Sequence, residues 1–85
     1  MSRAGKAHNV ALGKAIRQLR KDAKLTQRDL AERTGISVKE LRQIERGGVN
    51  ADWGTVRHLA YGMDAKLADV FQLTEEKEKG SKDQG

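Results

Sequence analysis

The sequence predicts an all-α fold, and three observations support this prediction. Apolar residues recur at helical spacing, and the alternation typical of strands is absent. The chain contains no proline that would break a helix. The middle of the chain contains two helix-start signals separated by a short turn. The 85 residues are enough for one domain with a small core, which dimerisation would stabilise further.

Two short helices are predicted in the middle of the chain, each beginning with a capping box. In Thr26-x-x-Asp29 and Ser37-x-x-Glu40, a hydroxyl would accept from a first-turn amide and the acid would bond back to the cap. Gly35 follows the first of these helices, at a position that favours a left-handed residue. Because the turn is only three residues long, the helices must cross steeply, as in a helix-turn-helix.

The two faces of this helix pair differ in chemistry. Apolar residues are expected inside the crossing: Leu30, Ala31, Ile36, Leu41 and Ile44. The outer side of the second helix carries Lys39, Arg42 and Gln43. Arg and Lys side chains can bind guanine edges, and Gln can bind adenine. The alternative is a different small bundle in which the same outer face is simply solvated.

Charge is distributed unevenly along the chain. The net charge is +5, and residues 1–73 carry 14 Lys and Arg against 8 Asp and Glu. Residues 74–85 carry 3 basic and 4 acidic residues. The basic part therefore suits a polyanionic partner, although basicity alone is weak evidence for one.

The two ends of the chain differ from its middle. Residues 1–8 are small, basic and unpatterned, which predicts a flexible basic N-terminal arm. Such an arm could contact phosphate or a minor groove, but a disordered terminus is the simpler interpretation. Residues 74–85 have no apolar residue and predict a polar disordered tail, leaving residues 9–73 as the folded domain.

The first helix is predicted from about residue 10 to residue 23, with Asn9 as its N-cap. Its inward residues are Leu12, Ile16, Leu19 and Ala23. Gly13 within a helix costs about 1 kcal/mol relative to Ala, so we expect another segment to pack closely against it. Lys14, Arg17 and Lys21 form a cationic stripe, for which a solvated face is the commoner explanation.

Residues 12–20, 25–31 and 44–47 resemble the Cro/phage-repressor helix-turn-helix family, also called the XRE type. The resemblance rests on the Thr-Gln opening of the second helix, its Leu-Ala pair, the turn Gly and the closing Glu-Arg-Gly, and it covers about residues 9–73. It implies a compact five-helix bundle of the lambda repressor-like kind. It also implies that the protein binds double-stranded, palindromic operator DNA as a homodimer.

The resemblance implies roles for individual residues. Helix 3, at about residues 38–46, would contact bases through Val38, Lys39, Arg42 and Gln43. The expected phosphate contacts are Gln27, Arg28, Ser37, Arg46 and Asn50. Arg20 and Glu45 match the family's buried ion pair. Lys24 departs from the family, which usually has Gly there, and a left-handed Lys would be strained by about 1–2 kcal/mol.

The last two helices are predicted at about residues 53–62 and 66–73. Asp52 would cap the first of them, whose inward residues are Val56, Leu59, Ala60 and Met63. A domain of this size is not expected to bury every apolar residue. The candidates for a dimer surface are therefore Trp53, Val70 and Leu73.

The expected function is that of a sequence-specific transcriptional regulator, in the simplest case a repressor. The alternative is an antitoxin or coactivator-type protein that uses the same fold to bind a protein partner. We expect no enzyme activity, metal or cofactor, because Cys is absent and His8 and His58 lie far apart without nearby acids at ligand spacing. No apolar run suggests a membrane span or an export signal, so a cytoplasmic, nucleoid-associated protein is expected.

Overall fold

Five helices make up the computed structural model, which describes residues 2–84 and the side chains of residues 8–79. They are α1 Ser2–Asp22, α2 Gln27–Thr34, α3 Val38–Glu45, α4 Trp53–Gly62 and α5 Leu67–Gln84. No strand occurs in residues 2–84, and the all-α prediction is confirmed. The helix α1 packs along α5 and against α3, while α2 packs against both α3 and α4.

The hydrophobic core receives side chains from all five helices. Its buried members are Leu12, Ile16, Leu30, Leu41, Ile44, Val56, Leu59, Ala60, Met63 and Val70. The inward faces predicted for α2, α3 and α4 are therefore confirmed. On α1, the predicted inward residue Ala23 is exposed, because the helix ends at Asp22 and Ala23 lies in the following turn.

Helix capping fixes the bounds of the central helices. The Thr26 hydroxyl accepts from the Asp29 amide at 3.0 Å, and the Asp29 carboxylate accepts from the Thr26 amide at 2.9 Å. The Ser37 hydroxyl accepts from the Glu40 amide at 3.0 Å. Only the first box is complete within the described residues, since Ser37 makes the forward bond without the return bond from Glu40.

The first and last helices extend past the ends predicted for the folded domain, whose bounds of residues 9–73 stay a prediction. Helix α1 begins at Ser2, so Asn9 is an interior residue rather than an N-cap, and the expected arm is helical from residue 2. Helix α5 continues to Gln84 instead of ending near residue 73. Thr74, placed in the expected tail, is only 2% exposed. Its hydroxyl donates to the Val70 carbonyl at 2.7 Å, which satisfies the buried oxygen within α5 itself.

Among residues 2–84, two non-glycine residues have left-handed backbone. Lys24 has φ of 63° in the turn between α1 and α2, as the departure from the family pattern suggested. Asp64 has φ of 59° in the turn between α4 and α5, which the sequence analysis did not anticipate. A β-carbon is strained in this conformation by about 1–2 kcal/mol, so these two turns are held by the packing of the helices around them.

Gly13 allows the backbones of α1 and α3 to touch. A β-carbon at this position would lie 2.6 Å from the Glu45 carbonyl oxygen and closer still to that of Ile44. Real carbon atoms do not approach a carbonyl this closely, so the end of α3 can rest on α1 only because residue 13 has no side chain. The close packing expected from the sequence is confirmed.

We expect Gly13→Ala to destabilise the domain by about 1–3 kcal/mol, because α1 and α3 would be forced apart. Gly54→Ala is the matched control, since its β-carbon would meet only the Asp52 carboxylate oxygen at 3.7 Å. That control should be neutral or stabilising by up to about 1 kcal/mol, as expected for Ala in a helix. Urea unfolding measures both values, and equal effects at the two glycines would contradict the packing argument.

Two carboxylates that take part in helix capping, Asp29 and Asp52, have lowered pKa values. The backbone amide of Thr26, followed by its side chain, lowers the pKa of Asp29. The backbone amide of Thr55, which donates to the Asp52 carboxylate at 2.8 Å, lowers the pKa of Asp52. Each hydrogen bond favours the charged carboxylate in the folded state. Its contribution to stability is complete above the unfolded pKa of about 3.9 and is lost as the pH falls through the lower folded pKa.

The substitution Asp52→Asn isolates the titrating part of the α4 cap. Asn still caps a helix but carries no charge, so the variant should lose less stability than the parent between about pH 6 and about pH 3. Asp52→Ala, which removes the cap itself, should be less stable at both pH values. Thermal unfolding across this range is the measurement, and parallel pH profiles for the parent and Asp52→Asn would show that the carboxylate charge contributes nothing.

Candidate nucleic-acid interface

The outer face of α3 borders a basic concavity of about 570 Å³. The residues that line it come from α1, α2, α3 and the residue after α3: Arg17, Arg20, Gln27, Lys39, Arg42, Gln43, Glu45 and Arg46. Glu45 is the one carboxylate in this lining, and Arg20 pairs with it. The positive charges of Arg17, Lys39, Arg42 and Arg46 are therefore in excess, which favours a polyanion.

A smaller concavity of about 320 Å³ lies on the other side of α3, against the loop that precedes α4. Ser37, Asn50 and Asp52 are among its lining residues. Lys39 and Gln43 line both concavities. These two side chains therefore form a ridge between two hollows on the outer face of α3.

The structure brings together most of the residues predicted to contact DNA. Lys39 and Arg42 are exposed, and Val38 and Gln43 are partly exposed. Among the predicted phosphate contacts, Gln27 and Arg46 line the larger concavity, while Ser37 and Asn50 line the smaller one. Arg28 is exposed but lines neither.

Arg17 also lines the larger concavity, although the sequence analysis favoured a solvated stripe for this residue. It lies three residues before Arg20 on α1, so the two side chains belong to adjacent positions on one side of the helix. Arg20 points into the domain and Arg17 remains exposed at its edge. This spacing is the sequence signal that could have identified Arg17.

The predicted ion pair between Arg20 and Glu45 is present and buried. Arg20 Nε donates to Glu45 Oε2 at 2.7 Å, and Arg20 Nη2 donates to Glu45 Oε1 at 3.1 Å. Arg20 Nη1 donates to the Leu25 carbonyl at 2.8 Å. The guanidinium therefore joins α1, the turn before α2 and the end of α3, and it leaves no buried polar atom of its own unpaired.

Gln27 extends this network to the outer face of α3. Its Nε2 donates to Glu45 Oε1 at 3.0 Å, and its Oε1 accepts from Arg42 Nε at 3.3 Å. Gln27, the first residue of α2, is therefore bonded to two side chains that lie one helical turn apart on α3, those of Arg42 and Glu45. These bonds brace α3 against the start of α2, and the phosphate contact of Gln27 remains a prediction.

The residues proposed for a dimer surface separate into different environments. Val70 is 0% exposed in the core, so its assignment to a surface is wrong. Leu73 is partly buried. Trp53 is 61% exposed and stacks on Phe71, with ring centroids 5.2 Å apart. Tyr61 is 86% exposed on α4 and was not identified from the sequence.

Helices α2 and α3, joined by a three-residue turn and backed by a buried ion pair beneath a basic outer face, define a helix-turn-helix DNA-binding domain. Residues 11–76 match the family described as "Helix-turn-helix domain", and the chain belongs to that family. No curated protein matches the chain.

Solved structures of similar fold are known. One is the clp gene regulator ClgR from Corynebacterium glutamicum, at 30% identity and a TM-score of 0.79 over 81% of this chain and 90% of that chain. A second ClgR structure has 28% identity and a TM-score of 0.87 over 91% of this chain and 82% of the other. The restriction-modification controller protein C.AhdI from Aeromonas hydrophila has 28% identity and a TM-score of 0.72 over 74% and 96% of the two chains.

Metal-binding clusters and membrane-spanning helices are absent from the described residues. These residues contain no group of three or more His, Asp or Glu side chains placed to hold a metal ion. Among the same residues, no helix combines the length and apolar character needed to cross a membrane.

The ion pair between Arg20 and Glu45 should behave as one unit. Arg20→Met or Glu45→Leu alone leaves a buried charge unpaired, and each should cost about 3–5 kcal/mol. The double variant contains no such charge. Its loss of unfolding free energy should therefore be smaller than the sum of the two single losses by at least about 2 kcal/mol. Chemical unfolding of the four proteins gives this coupling, and additive losses would mean that the pair contributes no mutual stabilisation.

Proposed function

We propose that this protein is a transcriptional regulator that binds a specific double-stranded DNA sequence with α3 in the major groove. The observation that carries the proposal is the ridge of Lys39 and Gln43, which stands between two hollows on the outer face of α3. The major groove is about 12 Å wide and admits one α-helix, so such a ridge can contact base edges.

In this proposal, the side chains of α3 divide according to their chemistry. Lys39 and Arg42 donate to guanine, Gln43 forms paired bonds with adenine, and Val38 contacts a thymine methyl group. The flanking residues bind phosphate and fix the register of the protein on DNA. These flanking residues are Gln27, Arg28, Ser37, Arg46 and Asn50.

The regulatory role is supported by the two proteins of similar structure. ClgR is a regulator of clp genes, and C.AhdI is a controller protein of a restriction-modification system. By analogy, we propose that this protein acts in the cytoplasm on its own target genes. Repression is the simplest mechanism, because a bound domain physically blocks access to the DNA that it covers.

Dimerisation completes the proposal. The α4 side of the domain exposes Trp53 and Tyr61, and Leu73 is only partly buried. Large apolar side chains that remain exposed on a small domain are suited to a second subunit. In a symmetric dimer, two copies of α3 would contact half-sites whose centres lie about 34–36 Å apart, so the operator should be palindromic.

Selection of bound duplexes from a random pool tests the base contacts. Lys39→Ala and Gln43→Ala should each weaken binding to the selected sequence by about 1–3 kcal/mol and relax the preference at one base pair in each half-site. Lys79→Ala removes another exposed cation, on α5, and should leave the preference unchanged. If all three variants select the parent sequence, α3 is not the element that determines specificity.

Tyr61→Lys tests the proposed dimer surface without altering the core, because this side chain is 86% exposed. Placing a charge in each subunit's interface should weaken self-association by about tenfold or more. Sedimentation equilibrium measures the change, and the thermal stability of the dissociated chain should remain close to that of the parent. Unchanged self-association would place the interface elsewhere.

A further inference from the structure

The amide of Gln27 has only one chemically acceptable orientation. Glu45 Oε1, on one side, belongs to a carboxylate that can only accept hydrogen bonds, and Arg42, on the other side, can only donate them. The amide nitrogen must therefore face Glu45, and the amide oxygen must face Arg42. Because Arg20 also bonds both oxygens of Glu45, the orientation of Gln27 is ultimately set by the buried ion pair.

This orientation determines which part of Arg42 remains available. The bond to Gln27 uses Nε of Arg42, at 3.3 Å. The two terminal nitrogens carry the remaining donors and form the planar fork that can bond two acceptors at once. Guanine presents such a pair of acceptors, O6 and N7, in the major groove.

We infer that Gln27 is a positioning residue for specificity, which holds Arg42 with its terminal fork directed at a guanine. This inference rests on the proposed function and assigns one base pair of each half-site to the chain of bonds from Glu45 through Gln27 to Arg42. An exposed Arg side chain loses much rotamer freedom when it binds, and holding Nε beforehand reduces that loss. Gln27 therefore increases the preference for guanine without touching the base.

Two possible roles of Gln27 differ in how their contribution to affinity depends on the DNA sequence. A residue that only contacts phosphate contributes equally to every DNA sequence. A residue that positions Arg42 contributes most when the contacted base pair is G·C. The discriminating quantity is therefore the ratio of affinities for duplexes that differ at a single base pair.

The experiment measures binding of the selected operator and of duplexes with each base pair replaced in turn. The proteins are the full chain, Gln27→Met, Arg42→Lys and the double variant, with Arg28→Met as the control. Met matches the length of Gln but cannot form either hydrogen bond, and Lys keeps the charge of Arg without Nε or the fork. Arg28 is an exposed neighbour on α2 and lies outside this chain of bonds.

We expect the parent to prefer one G·C pair in each half-site by about tenfold or more. Gln27→Met should reduce that preference by about fivefold, with changes of less than about twofold in the preferences at other positions. Arg42→Lys keeps a donor for guanine but loses Nε and the fork, so it should reduce the same preference at least as much, and adding Gln27→Met to it should cause no further loss at that pair. Arg28→Met should weaken binding to all duplexes alike and make it less sensitive to salt.

Replacing the assigned guanine with 7-deazaguanine provides a test that does not depend on any variant folding. Loss of N7 removes one of the two acceptors, so the parent should bind this duplex about tenfold more weakly, whereas Arg42→Lys should lose much less. An effect of Gln27→Met that is uniform across sequences, or insensitivity of the parent to 7-deazaguanine at every guanine, would overturn the inference and leave the proposed function intact. Equal binding of the parent to all duplexes would overturn both.

Discussion

The buried ion pair between Arg20 and Glu45 is the interaction on which the arrangement of the domain depends. It joins α1 to the last residue of α3, next to the point where Gly13 lets the backbones of these helices touch. The two contacts differ in chemistry. The backbone contact requires that residue 13 has no side chain, and the ion pair requires two opposite charges that bind each other away from water. Together they restrain α3 at its C-terminal end, so its outer face has a defined orientation relative to the rest of the domain.

The outer face of α3 is available because the helix uses its other residues inside the protein. Leu41 and Ile44 are in the core, and Glu45 is neutralised by Arg20. Lys39, Arg42 and the following Arg46 are left exposed on the outside, together with the partly exposed Gln43. The positive potential of the site follows from this division, since the one carboxylate in the larger concavity is already paired. In the proposed complex, the same division separates the residues that maintain the fold from those that contact DNA.

The parts of the structure that depend on local chemistry could be predicted from the sequence. The hydroxyl and carboxylate caps and the left-handed Gly35 fixed α2, α3 and α4 closely. The ion pair was recognised only through the family resemblance. The ends of α1 and α5 were missed because composition does not show that the polar ends of two helices can lie side by side, as His8 and Glu78 do at 3.2 Å. Val70 was misassigned because apolar content does not show which residue of a helix faces the core. The hydrogen bonds of Gln27 could not be predicted, because they depend on distances between side chains of α2 and α3 that only the folded structure sets.

The most direct test of the central claim is a titration of the labelled protein with its selected operator, followed by two-dimensional NMR of the backbone and side-chain nitrogens. We expect the largest changes in α3 and at the start of α2, with the side-chain signals of Lys39 and Gln43 shifting only when the selected sequence is present. The Arg20 Nε signal should remain protected from solvent exchange in the free and bound protein, because its bond to Glu45 persists. Changes centred on α4 and α5, with α3 unaffected, would contradict the account.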